Sequence, residues 1–186
     1  MGMPQARTTW TADRVRALPY DGKRYEVVDG ELLVTPSPAM PHQRAVGELH
    51  LRLAEYLRSG SVGEVFLSPA DVEFGPRTLV QPDLFVVPLI EGRRLRDWSE
   101  IRSLLLAVEI LSPSTARYDR LTKRRLYQRE AIEYWIVDLD ARVVERWRPH
   151  DTRPEILSET LDWQPDPTRD ALAIDLPAVF KDAWGE

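Results

Sequence analysis

LLLAVEILSPSTARYDRLTKRRLYQREAIEYWIVD, residues 104–138, decides the fold. Its first run, 104–111, is apolar except for Glu109, and its last, 134–137, is aromatic and β-branched. Between them lies a polar, basic piece, 119–130, that reads as a helix. Continuous apolar runs are what strands buried on both faces look like, so the stretch reads strand, helix, strand. An ionised glutamate inside such a strand is costly without a partner or a metal. Glu109 is the first pointer to chemistry.

The helix carries the second pointer. At about 100° per residue, Asp119, Lys123, Leu126 and Glu130 share one face. Leu126 turns that face toward the protein, so Lys123 is expected to be partly buried, in a chain with only three lysines. The plainer alternative is an Asp119–Lys123 pair on a solvated helix. Arg120, Arg124 and Gln128 lie on the other side, and these arginines either contact phosphates or form a solvated face.

Upstream, 80–87 reads as one strand with Pro82 near its start, where proline is tolerated. Asp83 opens its apolar part. Two acids at similar depth on neighbouring strands, Asp83 and Glu109, repel unless a proton or a cation lies between them. Mg²⁺ takes oxygen ligands, often only one or two carboxylates. Taken singly, each acid more often caps a loop or pairs with arginine.

The remaining elements frame these. Segments 24–28 and 31–35 flank Asp29-Gly30, a two-residue hairpin signal. Residues 11–18 read as a short helix capped by Thr11. Val46, Leu49 and Leu53 give 42–58 helical spacing. Segments 63–67 and 70–74 read as strands, and 90–102 as a surface loop. Residues 142–147 form a hairpin with 134–138. Beyond Pro149 the chain is rich in proline and charge, with one apolar segment at 171–180. The expectation is one domain over 1–186, with a core at about 20–148 and a C-terminal extension, 149–186. The order favours α/β with a mixed sheet flanked by helices and an N-terminal β-hairpin.

Composition narrows the classes. A net charge of −5 argues against a constitutive nucleic-acid coat protein, though not against a local basic site. The absence of cysteine removes disulfides, thiolate chemistry and Cys-based zinc sites. No apolar run approaches the ~20 residues that span a bilayer. MGMPQA fails as a myristoylation signal, and the N-terminus lacks a signal-peptide core, so a cytoplasmic protein without membrane contact is expected. There is no G-x-S-x-G elbow and no glycine-rich phosphate loop.

Several segments together resemble the Uma2 family, also called DUF820. They are YEVVDGEL (25–32), His42-Gln43-Arg44, VQPDLFVV (80–87), VEILSPST (108–115), Asp119, KRRLY (123–127) and EYWIVD (133–138). The resemblance covers roughly 20–148. It implies a predicted restriction endonuclease of the PD-(D/E)XK fold, with an αβββαβ core that matches the order read above. It further implies that Pro82-Asp83 is the "PD" and Glu109 the "(D/E)". Where the pattern has lysine two residues on, this chain has Leu111. Lysine moved to the following helix is a variation within that superfamily, and Lys123 is then the candidate, its Nζ expected within ~3–5 Å of Asp83 or Glu109.

The activity so implied is hydrolysis of DNA phosphodiester bonds with Mg²⁺ or Mn²⁺. Asp83, Glu109 and the carbonyl of Ile110 would hold the metal and Lys123 would serve catalysis. Glu26, His42 and Tyr127 are accessory candidates, and a homodimer is among the expectations. The alternative is a catalytically inactive nuclease-fold module that acts in binding or regulation, to which Leu111 and the acidic net charge point.

Overall fold

The computed structural model describes residues 9–60 and 62–186; the MGMPQA reading lies outside the described residues. Thr11 accepts a hydrogen bond from the Arg14 N–H and starts α1 (Ala12–Arg16). β1 (Arg24–Val28) and β2 (Glu31–Thr35) pair antiparallel. Asp29 and Gly30 both have positive φ, 51° and 87°, as the tight turn between twisted strands requires. α2 (Met40–Arg58) takes Pro41 into its first turn, where no N–H is missed, and buries Ala45, Leu49 and Leu53. β3 (Gly63–Leu67) and β4 (Val72–Gly75) follow.

One strand expected at 80–87 is two. β5 (Thr78–Val80) joins a four-stranded sheet ordered β2-β1-β5-β4, while β6 (Leu84–Pro88) joins a six-stranded one. Gln81-Pro82-Asp83 is the crossing. Proline cannot donate to a ladder, and the Gln81 N–H donates to Glu26 Oε1 at 2.7 Å instead. The break leaves Asp83 at the mouth of β6.

β7 (Leu106–Ile110) leads through a short loop into a helical run over 116–129. This run is not uniform. α3 (Ala116–Tyr118) and α4 (Arg124–Arg129) are joined by a π turn, Asp119–Lys123, in which the Arg124 N–H reaches the Asp119 carbonyl. β8 (Glu133–Asp138) returns parallel to β7, and β9 (Val143–Trp147) and β10 (Glu155–Leu157) extend the sheet antiparallel. The order is β10-β9-β8-β7-β6-β3, a mixed sheet. With α2 and the helical run, β3, β6, β7 and β8 make the αβββαβ core.

Alternation along the strands sorts the sheet into two faces. Leu84, Val86, Val108, Ile110 and Trp135 pack beneath α2. Phe85, Ala107, Tyr134 and Ile136 pack against Leu126 and Tyr127 of α4. Glu109 alternates with Ala107 and so points toward the helical run. Residues 149–186 are more ordered than their composition suggests: they form β11 (Thr160–Trp163), β12 (Leu172–Asp175) and α5 (Leu176–Trp184). Leu161, Trp163, Ile174, Val179 and Phe180 of this segment enter the same core cluster as Leu49 and Trp135. Among the described residues no helix is long and apolar enough to cross a membrane.

Candidate active site

The antiparallel register Leu84↔Val108, carried one residue further, sets Asp83 across from Glu109. The side chains confirm it: Asp83 Oδ2 accepts a 3.0 Å bond from the Ile110 N–H, the residue after Glu109. The two acids share one end and one face of the sheet. Glu109 is 4% exposed and Asp83 4%, so neither charge is left to water.

Lys123 supplies the cation. The π turn brings it over the sheet, 3% exposed, with Nζ 2.7 Å from Glu109 Oε1 and 2.9 Å from Glu26 Oε2. Asp119, one turn back, stands with Oδ1 at 3.8 Å from the same nitrogen. Glu26 reaches in from β1 and is committed to Lys123 and Gln81.

Asp83 has its own partners. Arg24 Nη1 donates to Oδ1 at 2.7 Å, and His42 Nε2 lies 3.0 Å from Oδ2. Burial raises the Asp83 pKa, but His42, Arg24 and the Ile110 N–H outweigh it and hold the carboxyl at about 2. Glu109 moves the other way. Burial pushes it well above the usual carboxylate range, against the pull of Lys123, with Asp83, Asp119 and Glu26 adding to the push. Burial likewise raises Asp119. Lys123 is lowered by burial, yet Glu109, Glu26 and Asp119 hold it well above the ordinary lysine value, so it stays charged.

Asp83, Glu109, Asp119, Lys123, Arg24 and His42 line one open cavity of about 640 Å³. Its walls are the Pro-rich turn 36–41, the Ser112–Ala116 loop and the Asp138–Asp140 turn, with Trp184 at the rim. Ile110 also lines it. Glu26 and Tyr127 do not; Glu26 braces Lys123 from behind, and Tyr127 is fully buried with its hydroxyl unpartnered and its ring 4.6 Å from that of Tyr134.

The donor set can be tested against a divalent cation. Four carboxylates (Glu26, Asp83, Glu109, Asp119) face two fixed cations, Arg24 and Lys123, which leaves two excess negative charges when all are ionised. Burial is the main reason the Glu109 carboxyl is raised, and the neighbouring carboxylates of Asp83, Asp119 and Glu26 add to it. All the donors are hard oxygens, the type Mg²⁺ and Mn²⁺ take. The residues therefore fit such an ion in chemistry and charge. Among the described residues no three His, Asp or Glu side chains already converge on one point.

Arg24 and Asp119 were absent from the site expected on sequence grounds. Arg24 lies two residues from Glu26 on one strand, so both project to one side. The arginines of the helix differ from expectation. Arg120 donates to Glu145 at 2.6 Å and Asp138 at 2.8 Å, and Arg124 bonds Gln128 and lies 4.8 Å from the Trp147 ring. Both brace the fold and are poorly available to phosphate. Arg117 and Arg125 are exposed, with no carboxylate in ion-pair range among the described residues.

This arrangement defines a mixed α/β protein with an acid–lysine cluster at the open end of its central strands. The family model Uma2, described as "Putative restriction endonuclease", matches residues 12–177, and the chain belongs to that family. Among solved structures, a putative nuclease belonging to DUF820 from Anabaena variabilis ATCC 29413 has the same fold. The TM-score is 0.72 at 19% identity, over 94% of this chain and 99% of that one. Among curated proteins none matches.

Proposed function

We propose that this chain is a divalent-metal-dependent endonuclease that hydrolyses DNA phosphodiester bonds. The observation that carries the reading is Lys123 Nζ, buried beside Glu109 at 2.7 Å in the cavity that also holds Asp83. Membership of the Uma2 family supports it. Asp83, Glu109 and the carbonyl of Ile110 would hold Mg²⁺ or Mn²⁺. Such an ion, when bound, polarises a phosphate and makes its bound water acidic. Lys123 pulls the Glu109 carboxyl toward its ionised form, against burial, and offers an ammonium to charge that develops on the phosphate. Arg24 and His42 fix the Asp83 carboxylate. The cavity walls hold the substrate strand against the acids.

The test is cleavage of plasmid and single-stranded DNA with Mn²⁺, with Mg²⁺ and with chelator. Metal-dependent nicking, abolished by chelator, is the expected outcome; no cleavage of either substrate with either ion would refute the reading. DNA contact through Arg117 and Arg125 goes with it. Changing both to Ala should weaken binding to every sequence alike and flatten the salt dependence, by a slope of roughly 0.9 per lost phosphate contact. An unchanged slope would remove these arginines from the DNA surface. An inactive binding module is the second reading, favoured by the two hydrogen bonds Asp83 already accepts and by His42 Nε2 at 3.0 Å from it. Mn²⁺ titration by calorimetry separates the two, since a degenerate site need not bind the ion.

A further inference from the structure

We propose that Asp119 is a third carboxylate arm of the divalent-cation site, serving it together with Asp83 and Glu109. The inference rests on the metal-dependent reading above and adds a residue to it.

The starting point is an unmet acceptor. Asp119 is 1% exposed, and its Oδ1 is buried without a hydrogen-bond partner. A buried carboxylate oxygen without a partner costs free energy, and native proteins rarely leave one unexplained. Lys123 does not meet it. Its Nζ lies 3.8 Å away, beyond hydrogen-bond reach, and its short contacts go to Glu109 and Glu26.

The backbone holds Asp119 in this buried position. Its N–H donates to Thr115 O at 2.9 Å, and its carbonyl accepts the Arg124 N–H across the π turn. Such widened turns are frequent at functional sites. The carboxylate lines the same cavity as Asp83 and Glu109. Of the four carboxylates in the cluster, Asp119 is therefore the one whose nearest cation is most distant, Lys123 at 3.8 Å. A divalent cation in the cavity would give Oδ1 the close partner it lacks.

The experiment measures Mn²⁺ affinity by calorimetry and electron paramagnetic resonance, and thermal unfolding with and without Mn²⁺, for the parent, Asp119→Asn and Asp119→Ala. Asn keeps the shape and removes the charge. We expect about tenfold weaker Mn²⁺ binding and a smaller rise of Tm with Mn²⁺. Without metal, the Tm of Asp119→Asn should equal or exceed the parent's, because a buried, poorly paired charge is gone. Parent-like Mn²⁺ affinity in Asp119→Asn overturns the proposal, as does a lowered metal-free Tm with unchanged affinity, which marks a structural role. A parent that binds no Mn²⁺ overturns it too. If the parent binds Mn²⁺ and Asp119→Asn binds it weakly, but neither cleaves nucleic acid, the nuclease reading falls and this assignment stands.

Discussion

Lys123→Ala should lose at least about 10²-fold in cleavage rate and about 3–5 kcal/mol in stability at neutral pH. The catalytic loss follows from removing the one ammonium beside Glu109. The stability loss follows from burial. Glu26, Glu109 and Asp119 all face Nζ, and each is nearly inaccessible to water. Deleting the cation leaves them to repel one another. Glu109 and Asp119, already raised by burial, would then lose the cation that pulls them down and titrate higher still. A carboxyl raised in the folded state loses stability as pH rises, so the variant should recover as pH falls. The gap in unfolding free energy between parent and variant should be smaller at pH 5 than at pH 8. Mn²⁺ binding should persist, since Asp83 and Glu109 remain. Lys123→Arg should rescue only part of the activity, because a planar guanidinium cannot take the place of a compact ammonium. A Lys123→Ala protein as stable and as active as the parent would contradict both halves of this account.

The lysine was legible in the sequence because two local facts converged on it. Leu111 leaves a position empty, and Leu126 three residues on tells which side of the helix is inward. The actual helix is π-wound between Asp119 and Lys123, which a spacing argument at regular pitch does not see. The inward face survived because Lys123 and Leu126 sit at the end of that turn and just past it. Glu109 was legible for a simpler reason, a lone charge in an apolar run. Arg24 was not, since its partner Asp83 is 59 residues away and nothing local distinguishes it from the other arginines.

The misread parts of the fold share a cause. Residues 80–87 look like one strand because Val80 and Leu84 are both apolar. The apolar pattern does not show that they serve different sheets, and only the destinations of the Gln81 N–H and Asp83 carboxylate reveal the crossing. The C-terminal segment looks polar because it packs along one face. Trp163 meets Trp135 at 6.1 Å, and Val179 and Phe180 cover α2. Two faces of a thin layer dilute the apolar signal below that of a buried strand.

Asp83→Asn tests the other half of the site. Asp83 collects Arg24 and the Ile110 N–H as donors, with His42 at 3.0 Å, and its carboxyl is held at about 2 against the ordinary 3.8. A carboxyl lowered by folding contributes stability above its unfolded pKa and loses it as pH falls toward the folded one. The shift corresponds to roughly 2 kcal/mol. In Asp83→Asn that contribution is absent. One amide group must also turn an NH₂ toward Arg24 or toward His42 and the Ile110 N–H, which leaves a buried donor facing a donor. The variant should be less stable than the parent by about 3–5 kcal/mol at pH 7, and the difference should shrink between pH 5 and pH 2.5. Urea unfolding of both proteins across that range measures it. Cleavage and Mn²⁺ affinity should fall together, because Asp83 serves the ion directly, whereas Lys123→Ala should separate them. A stability difference that stays constant with pH would mean that Arg24 and His42 hold the neutral acid as well as the carboxylate, and that Asp83 is not charged by its surroundings.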